Sequence, residues 1–373
     1  MKIKRVYIDN YRFFSSFELK FETNKQNCST GIYGHNGTGK TTVLKLIKIL
    51  ASTVHQYFNF LNNSGVDDKQ KKFVLLFSLD EAYHRIQSKF GNINLEVEFE
   101  NTKETAVKLA FRDGKILVNG APLNHYLEKD SKSRLPGILA QFTNFYFYPS
   151  IAQLHSELLS QPSASNKKES SNPQVESFVD KLLPFLSAQG AIIEDWTNFT
   201  TLTSKELVPL SQQYKDSINN KSKQYNEFKA FLDNILEDKK LASVKDDVVW
   251  FSMERRGGSE ELIRLQDLSA GEFHLITRII KLYTSQCSNG LLMFDEPETS
   301  FHFEWQKKLL DIIHGVPGCT NNQIIFASHS EHLAQLCDQF IFLSYDSKEC
   351  RVRVFDDSVA GPTSSQFVKE TNA

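Results

Sequence analysis

The chain has 373 residues, 40% of them apolar and 24% charged, and a formal net charge of −2. That balance suits a folded protein of one large or two modest domains, and it excludes a protein that holds nucleic acid by bulk positive charge alone. The five cysteines (Cys28, Cys287, Cys319, Cys337 and Cys350) form no C-x-x-C pair, which excludes a disulfide framework and a zinc site of ordinary spacing.

The N-terminus lacks the apolar core of a secretory signal, and no run approaches the roughly 18 apolar residues of a membrane helix. The expectation is a cytoplasmic protein with no membrane contact. Residues 2–8 and 17–21 alternate polar and apolar side chains, as half-buried strands do. An apolar strand, CSTGIY, then leads through a glycine-rich stretch into the helical pattern TTVLKLIKILAS. Between about 73 and 119 the runs VLLFSL, INLEVEF, AVKLAF and KILVNG predict an antiparallel sheet, turning at Gly91-Asn92 and Asp113-Gly114. NFYFY, ending at Pro149, reads as one more strand.

Residues 161–175 are small, polar and broken by proline, the composition of a loop. From 176 to 242 the pattern turns helical, with a long stretch over Ser204–Leu241 whose charges of both signs mark a solvated helix or helical hairpin. Beyond Val248, strand patterns (VVWFSM, LLMFD, QIIFAS, FIFLSY, RVRVF) alternate with helical ones. Alternation of that kind predicts a mostly parallel sheet with helices on its faces. The expected division is 1–150 as an N-terminal lobe, 151–247 as a loop and helical insertion, and 248–373 as a C-terminal lobe. The twenty-nine phenylalanines read as core and sheet packing, since rows that stack bases carry interleaved basic residues.

The glycine-rich stretch matches G-x-x-x-x-G-K-[ST] in full: Gly34, His35, Asn36, Gly37, Thr38, Gly39, Lys40, Thr41, followed by Thr42. Glycines are required because the backbone N–H groups must turn toward phosphate oxygens where a Cβ would collide. Lys40 would reach the β- and γ-phosphates of ATP, and the Thr41 hydroxyl would ligate Mg²⁺. Asp295 and Glu296 end an apolar strand, which delivers two carboxylates beside such a loop. There Asp295 can hold the metal and Glu296 can act as general base toward water. Leu268-Ser-Ala-Gly-Glu272 opens a helix, so Ser269 and Gly271 lie at an anion-favouring N-terminus; taken alone the pentapeptide is simply a helix cap. His329 follows the strand QIIF, where a lone histidine is ordinarily a turn residue.

The order of phosphate loop, S-x-G-E, carboxylate strand and histidine resembles the ABC ATPase superfamily. The opening IDNYRFF and the segment Asp295-Glu-Pro-Glu-Thr-Ser-Phe-His302 resemble its OLD- and RecF-like branch. Ala270 and Glu272 depart from the LSGGQ form of the signature, as in many SMC- and RecF-like members. The resemblance covers roughly 1–50 and 248–345. It implies a P-loop α/β fold with an ABC-type mixed sheet, an antiparallel β subdomain and a helical insertion. It also implies ATP and Mg²⁺ as cofactors and a switch role for His329 at the γ-phosphate. Ser269 and Gly271 would act in trans, so that two copies close around the nucleotides, as a dimer or a larger assembly built from it. Glu298 to His302 would form the loop at that interface, and Arg12 would lie near the nucleotide, although a plain surface arginine fits that position equally well. Neither Gln141 nor Gln153 stands out as a Q-loop glutamine.

OLD nucleases also carry a TOPRIM domain with an Asp-x-Asp metal site, for which the residues after His329 are too few and lack the motif. The expectation is a stand-alone ATPase that regulates a separately encoded effector such as a nuclease, as in bacterial anti-phage modules. The alternative is a RecF- or SMC-like DNA-repair ATPase that clamps duplex DNA, with a soluble transporter subunit a distant third.

Overall fold

The computed structural model describes residues 2–62, 87, 90–100, 107–122, 145–148, 223–236, 238–245, 248–254, 258–284, 288–299, 301, 303–349 and 351–356. Strands β1 (Lys2–Asp9), β2 (Phe17–Lys20) and β3 (Cys28–Gly34) precede helix α1 (Lys40–Asn62). Strands β4 (Asn94–Glu100), β5 (Val107–Arg112), β6 (Lys115–Val118), β7 (Ala121–Pro122) and β8 (Phe145–Tyr148) come next, then helix α2 (Lys223–Ile235). They are followed by β9 (Lys239–Lys245), β10 (Val248–Glu254) and β11 (Glu260–Arg264), and by α3 (Ala270–Thr284) and β12 (Leu291–Asp295). The chain continues through α4 (Phe303–Gly315), β13 (Gln323–Ser328), α5 (Glu331–Gln335), β14 (Gln339–Asp346) and β15 (Arg351–Asp356).

Three sheets result. One has six strands in the order β15-β14-β3-β13-β12-β8. Its strands run parallel except β15, which returns antiparallel beside β14. Strand β3 thus sits between two strands from the far end of the chain. Side chains on β12 and β13 alternate between two cores, as a strand's two-residue period requires. Leu291, Met293, Ile325 and Ala327 join one core with α1, while Leu292, Phe294, Ile324 and Phe326 join the other with α2, α3 and α4. Strands β12 and β13 are therefore buried on both faces and read as apolar runs.

The second sheet, β2-β1-β4-β5-β6-β7, is antiparallel and packs over α1. Its turn at Asp113 and Gly114 has φ of 50° and 69°, the paired left-handed geometry of a two-residue hairpin. Two buried amides fasten it to the parallel sheet. The Gln323 side chain accepts from Ile3 N at 2.6 Å and donates to Ile3 O at 2.8 Å. Gln339 likewise accepts from Glu22 N at 3.1 Å and donates to Lys20 O at 2.8 Å. Changing Gln323 to Leu keeps the volume but orphans both polar groups of Ile3. Urea unfolding is therefore expected to show a loss of roughly 1–3 kcal/mol for each group left unpaired.

The third sheet, β11-β10-β9, corrects two expectations. VVWFSM belongs to this small antiparallel sheet instead of the parallel one, and Lys239–Leu241 begins a strand where helical periodicity was read. The helix stops at α2, and Leu241 turns inward to the core against Phe251. The Arg-Gly-Gly-Ser stretch between β10 and β11 was the available hairpin signal. NFYFY also joins the parallel sheet, as its β8 edge beside β12. VLLFSL, residues 161–175, most of the Ser204–Leu241 stretch, Gln141, Gln153 and His302 lie outside the described residues. Among the described residues, no helix is long and apolar enough to cross a membrane.

Candidate nucleotide site

The site forms at the C-terminal ends of β3, β12 and β13, where an open parallel sheet presents its loops. After β3 the chain bends through Gly34–Gly39 into α1. Gly37 and Gly39 have φ of 84° and 90°, which side-chain-bearing residues rarely adopt. Left-handed residues alternating with right-handed ones turn successive amides to one side, as an anion nest requires. Asn36 and Gly37 are exposed, whereas Thr38 is buried and its hydroxyl donates to His35 O at 2.9 Å. Thr42, on the first turn of α1, is half-buried. A Cβ on Gly39 would come within 2.4 Å of Phe14 Cζ and 2.9 Å of Phe13 Cε2. The loop between β1 and β2 therefore backs the phosphate loop with aromatic rings, a contact the sequence did not disclose. Arg12 lies in that same loop with φ of 53°, exposed, its guanidinium 5.3 Å from the centre of the Tyr11 ring.

Lys40 is only 4% exposed, and its ammonium donates to Gly34 O at 2.6 Å and His35 O at 3.1 Å. Burial holds it below the ordinary lysine value, while Glu296, Asp295 and Glu298 pull the other way. A lysine buried at a loop of positive-φ glycines is a site in which an anion would be stabilised. Thr41, the next residue, donates to both oxygens of Asp295 at 2.8 and 3.0 Å. Asp295 itself is 1% exposed at the end of the fully buried β12. A hydroxyl and a carboxylate meeting this closely are hard oxygen donors of the kind Mg²⁺ takes together with phosphates and water. No group of three or more His, Cys, Asp or Glu side chains able to hold a metal exists among the described residues.

Glu296 follows with φ of 46°, a left-handed backbone unusual for a side-chain-bearing residue, and its N–H donates to Ala327 O at 2.7 Å. His329 lies opposite. Its Nε2 is 3.3 Å from Glu296 Oε1, and its Nδ1 is 3.4 Å from Lys40 Nζ. Glu298 reaches across to the backbone around His329, accepting from His329 N at 2.7 Å.

The signature residues lie apart from this cluster. Ser269 is exposed and pairs with Glu272 as a helix cap: its N–H and hydroxyl donate to Glu272 Oε2 at 2.9 and 2.7 Å. Gly271 is buried in the first turn of α3. Glu272 also meets Lys239 of β9 at 2.7 Å, both side chains 12% exposed. Burial pushes the Glu272 carboxyl up, but Lys239 and Ser269 outweigh it and hold it below its usual value. The stabilisation is thus complete above the unfolded carboxyl range and disappears as pH falls through the lowered folded value. Lys239→Met is expected to cost on the order of 1 kcal/mol at pH 7 and progressively less as pH falls through the lowered folded value of Glu272, by thermal unfolding across that range.

The sequence profile of the AAA ATPase domain family matches residues 1–334. The chain belongs to that family. It is an ATPase, and its P-loop implies ATP as the bound nucleotide. No curated protein sequence matches this ATPase. Among solved structures it resembles the Smc head bound to the C-winged helix domain of ScpA. The identity is 13% and the TM-score 0.53, over 96% of this chain and 98% of that one. That likeness gives the ATPase an SMC-head-type fold. Two further SMC heads align at 12% identity, one from Thermotoga maritima and one with an extended coiled coil, bound to the C-terminal domain of ScpA, from Pyrococcus furiosus. The first has a TM-score of 0.46 over 95% of this ATPase and 99% of that chain. The second has a TM-score of 0.48 over 100% of each.

Proposed function

We propose that this ATPase binds ATP with Mg²⁺ at Gly34, Asn36–Thr42 and Asp295, hydrolyses it with Glu296 as general base, and uses the cycle to regulate a separately encoded effector. The observation that carries the reading is the convergence of Lys40, Thr41, Asp295, Glu296 and His329, each within 3.4 Å of another member. Lys40 supplies fixed positive charge to the β- and γ-phosphates. Thr41 and Asp295 would hold the metal, which supplies charge neutralisation on the phosphate oxygens. Glu296 would take the proton of the attacking water, and His329, beside both Glu296 and Lys40, would sense the γ-phosphate.

Ser269 and Gly271 belong to the same reading, as donors to a nucleotide held by a second copy. Their support is the exposure of Ser269 at the N-terminus of α3, where the amides of the first helical turn favour an anion. Arg12 we place at the edge of the same nucleotide. The branch we favour is OLD- and RecF-like, on the motif Asp295-Glu-Pro-Glu and the opening IDNYR. A partner arrangement of this general kind is known for the Smc head solved with the C-winged helix domain of ScpA.

The test is ATP turnover by the purified chain with and without duplex DNA across a salt series. A protein that answers to a separate effector such as a nuclease turns over at a rate indifferent to DNA. Stimulation by DNA that falls steeply with salt, following the release of counterions from phosphates, would replace this reading with that of a DNA clamp.

A further inference from the structure

The His329 side chain is 36% exposed, so burial alone does not fix its ring. Its placement against Glu296 and Lys40 therefore depends on where its backbone lies, and one carboxylate holds that backbone. Glu298 lies in the turn that leaves β12, where Thr299 N donates to Glu296 O at 3.2 Å and Phe301 N to Glu298 O at 2.9 Å. Its Oε1 accepts three hydrogen bonds from consecutive residues: the Ser328 hydroxyl at 2.8 Å, His329 N at 2.7 Å and Ser330 N at 3.2 Å. Ser330 in turn caps α5 and reaches Gln306 of α4 through its hydroxyl at 3.1 Å. The second oxygen, Oε2, is buried and has no hydrogen-bond partner among the described residues.

We infer that Glu298 is a positioning residue, which ties the turn carrying Glu296 to the loop carrying His329 so that the two side chains face the same reacting atoms. The inference rests on the roles proposed above for Glu296 and His329. The geometry supplies its logic. Glu296 and Glu298 leave the same strand end two residues apart; Glu296 crosses to β13 through its backbone N–H, and Glu298 crosses through its carboxylate, which spans Ser328 to Ser330, so any shift of one loop is transmitted to the other. The carboxylate also stands near enough to Lys40 to favour its charged form. A group acting this way alters the alignment of the transition state without touching substrate, so its loss lowers kcat and leaves ground-state binding alone.

Steady-state phosphate release and ATP titration on the full chain test this. Glu298→Ala is expected to lower kcat about ten- to a hundred-fold with KM and ATP affinity within about two-fold of wild type. Glu298→Gln, whose amide oxygen can still accept from the loop, is expected to recover most of that loss. In a His329→Ala background, Glu298→Ala is expected to have no further effect on kcat. Unchanged kcat in Glu298→Ala, a KM that rises in step with the fall of kcat, or losses that multiply in the double variant would each overturn the inference. Where Glu298→Ala does not fold, Ser328→Ala removes one of the three contacts; a smaller fall in kcat at constant KM supports the inference, and no fall overturns it. Turnover indifferent to His329→Ala would remove the role of His329 together with this inference. Sensitivity to His329→Ala with indifference to Glu298→Ala would remove this inference alone.

Discussion

Glu296→Gln is expected to bind ATP within a few-fold of wild type and to hydrolyse it about 10²- to 10⁴-fold more slowly, the range a positioned general base contributes. The amide keeps the shape of the carboxylate and tolerates the same backbone, whose φ of 46° is held by the N–H bond to Ala327 O. What it loses is the capacity to take a proton, so binding and chemistry separate. If a second copy supplies Ser269, the stalled state accumulates as a dimer, which light scattering in saturating ATP reads directly. Turnover at the wild-type rate would remove Glu296 as the base. A variant that stays monomeric at saturating ATP would leave no room for donation between copies.

Lys40→Ala is expected to lose ATP binding by about 2–5 kcal/mol, the cost of removing one member of a buried charge pair, or roughly thirty- to several-thousand-fold in Kd. The magnitude follows from burial: at 4% exposure the ammonium acts through little intervening water. Loop geometry is the competing explanation, since the same side chain donates to Gly34 O and His35 O. Lys40→Arg separates the two, because it preserves charge while its planar fork does not fit a point-charge position. Calorimetric titration that shows wild-type affinity in Lys40→Ala would displace the nucleotide from this loop altogether.

What could be read from the sequence is what is local. The glycines at 34, 37 and 39 and Lys40 announce the phosphate loop because strand, loop and helix are contiguous, and the apolar run before Asp295 announces a strand buried on both faces. The link from Glu298 to His329 spans 31 positions, and nothing near either residue signals it. Gln323, which looked like an ordinary polar residue opening a strand, is fully buried because the backbone it serves is that of Ile3, at the opposite end of the chain. Phe13 and Phe14 read as strand or core residues, and only the tertiary fold sets them behind Gly39. The β9–β11 sheet was missed for a related reason. Its outer strands are short and rich in charge, so their periodicity is weak until β10 pairs with both.

The central place of β3 bears on how the protein emerges from the ribosome. Strands β1, β2, β4, β5 and β6 find their hydrogen-bonding partners among the first 118 residues and can pair early. Both neighbours of β3 are made long after it, ending at Ser328 and Asp346. Until they emerge, the nucleotide-loop strand therefore has two open edges, a condition that slows folding and invites mispairing between nascent chains.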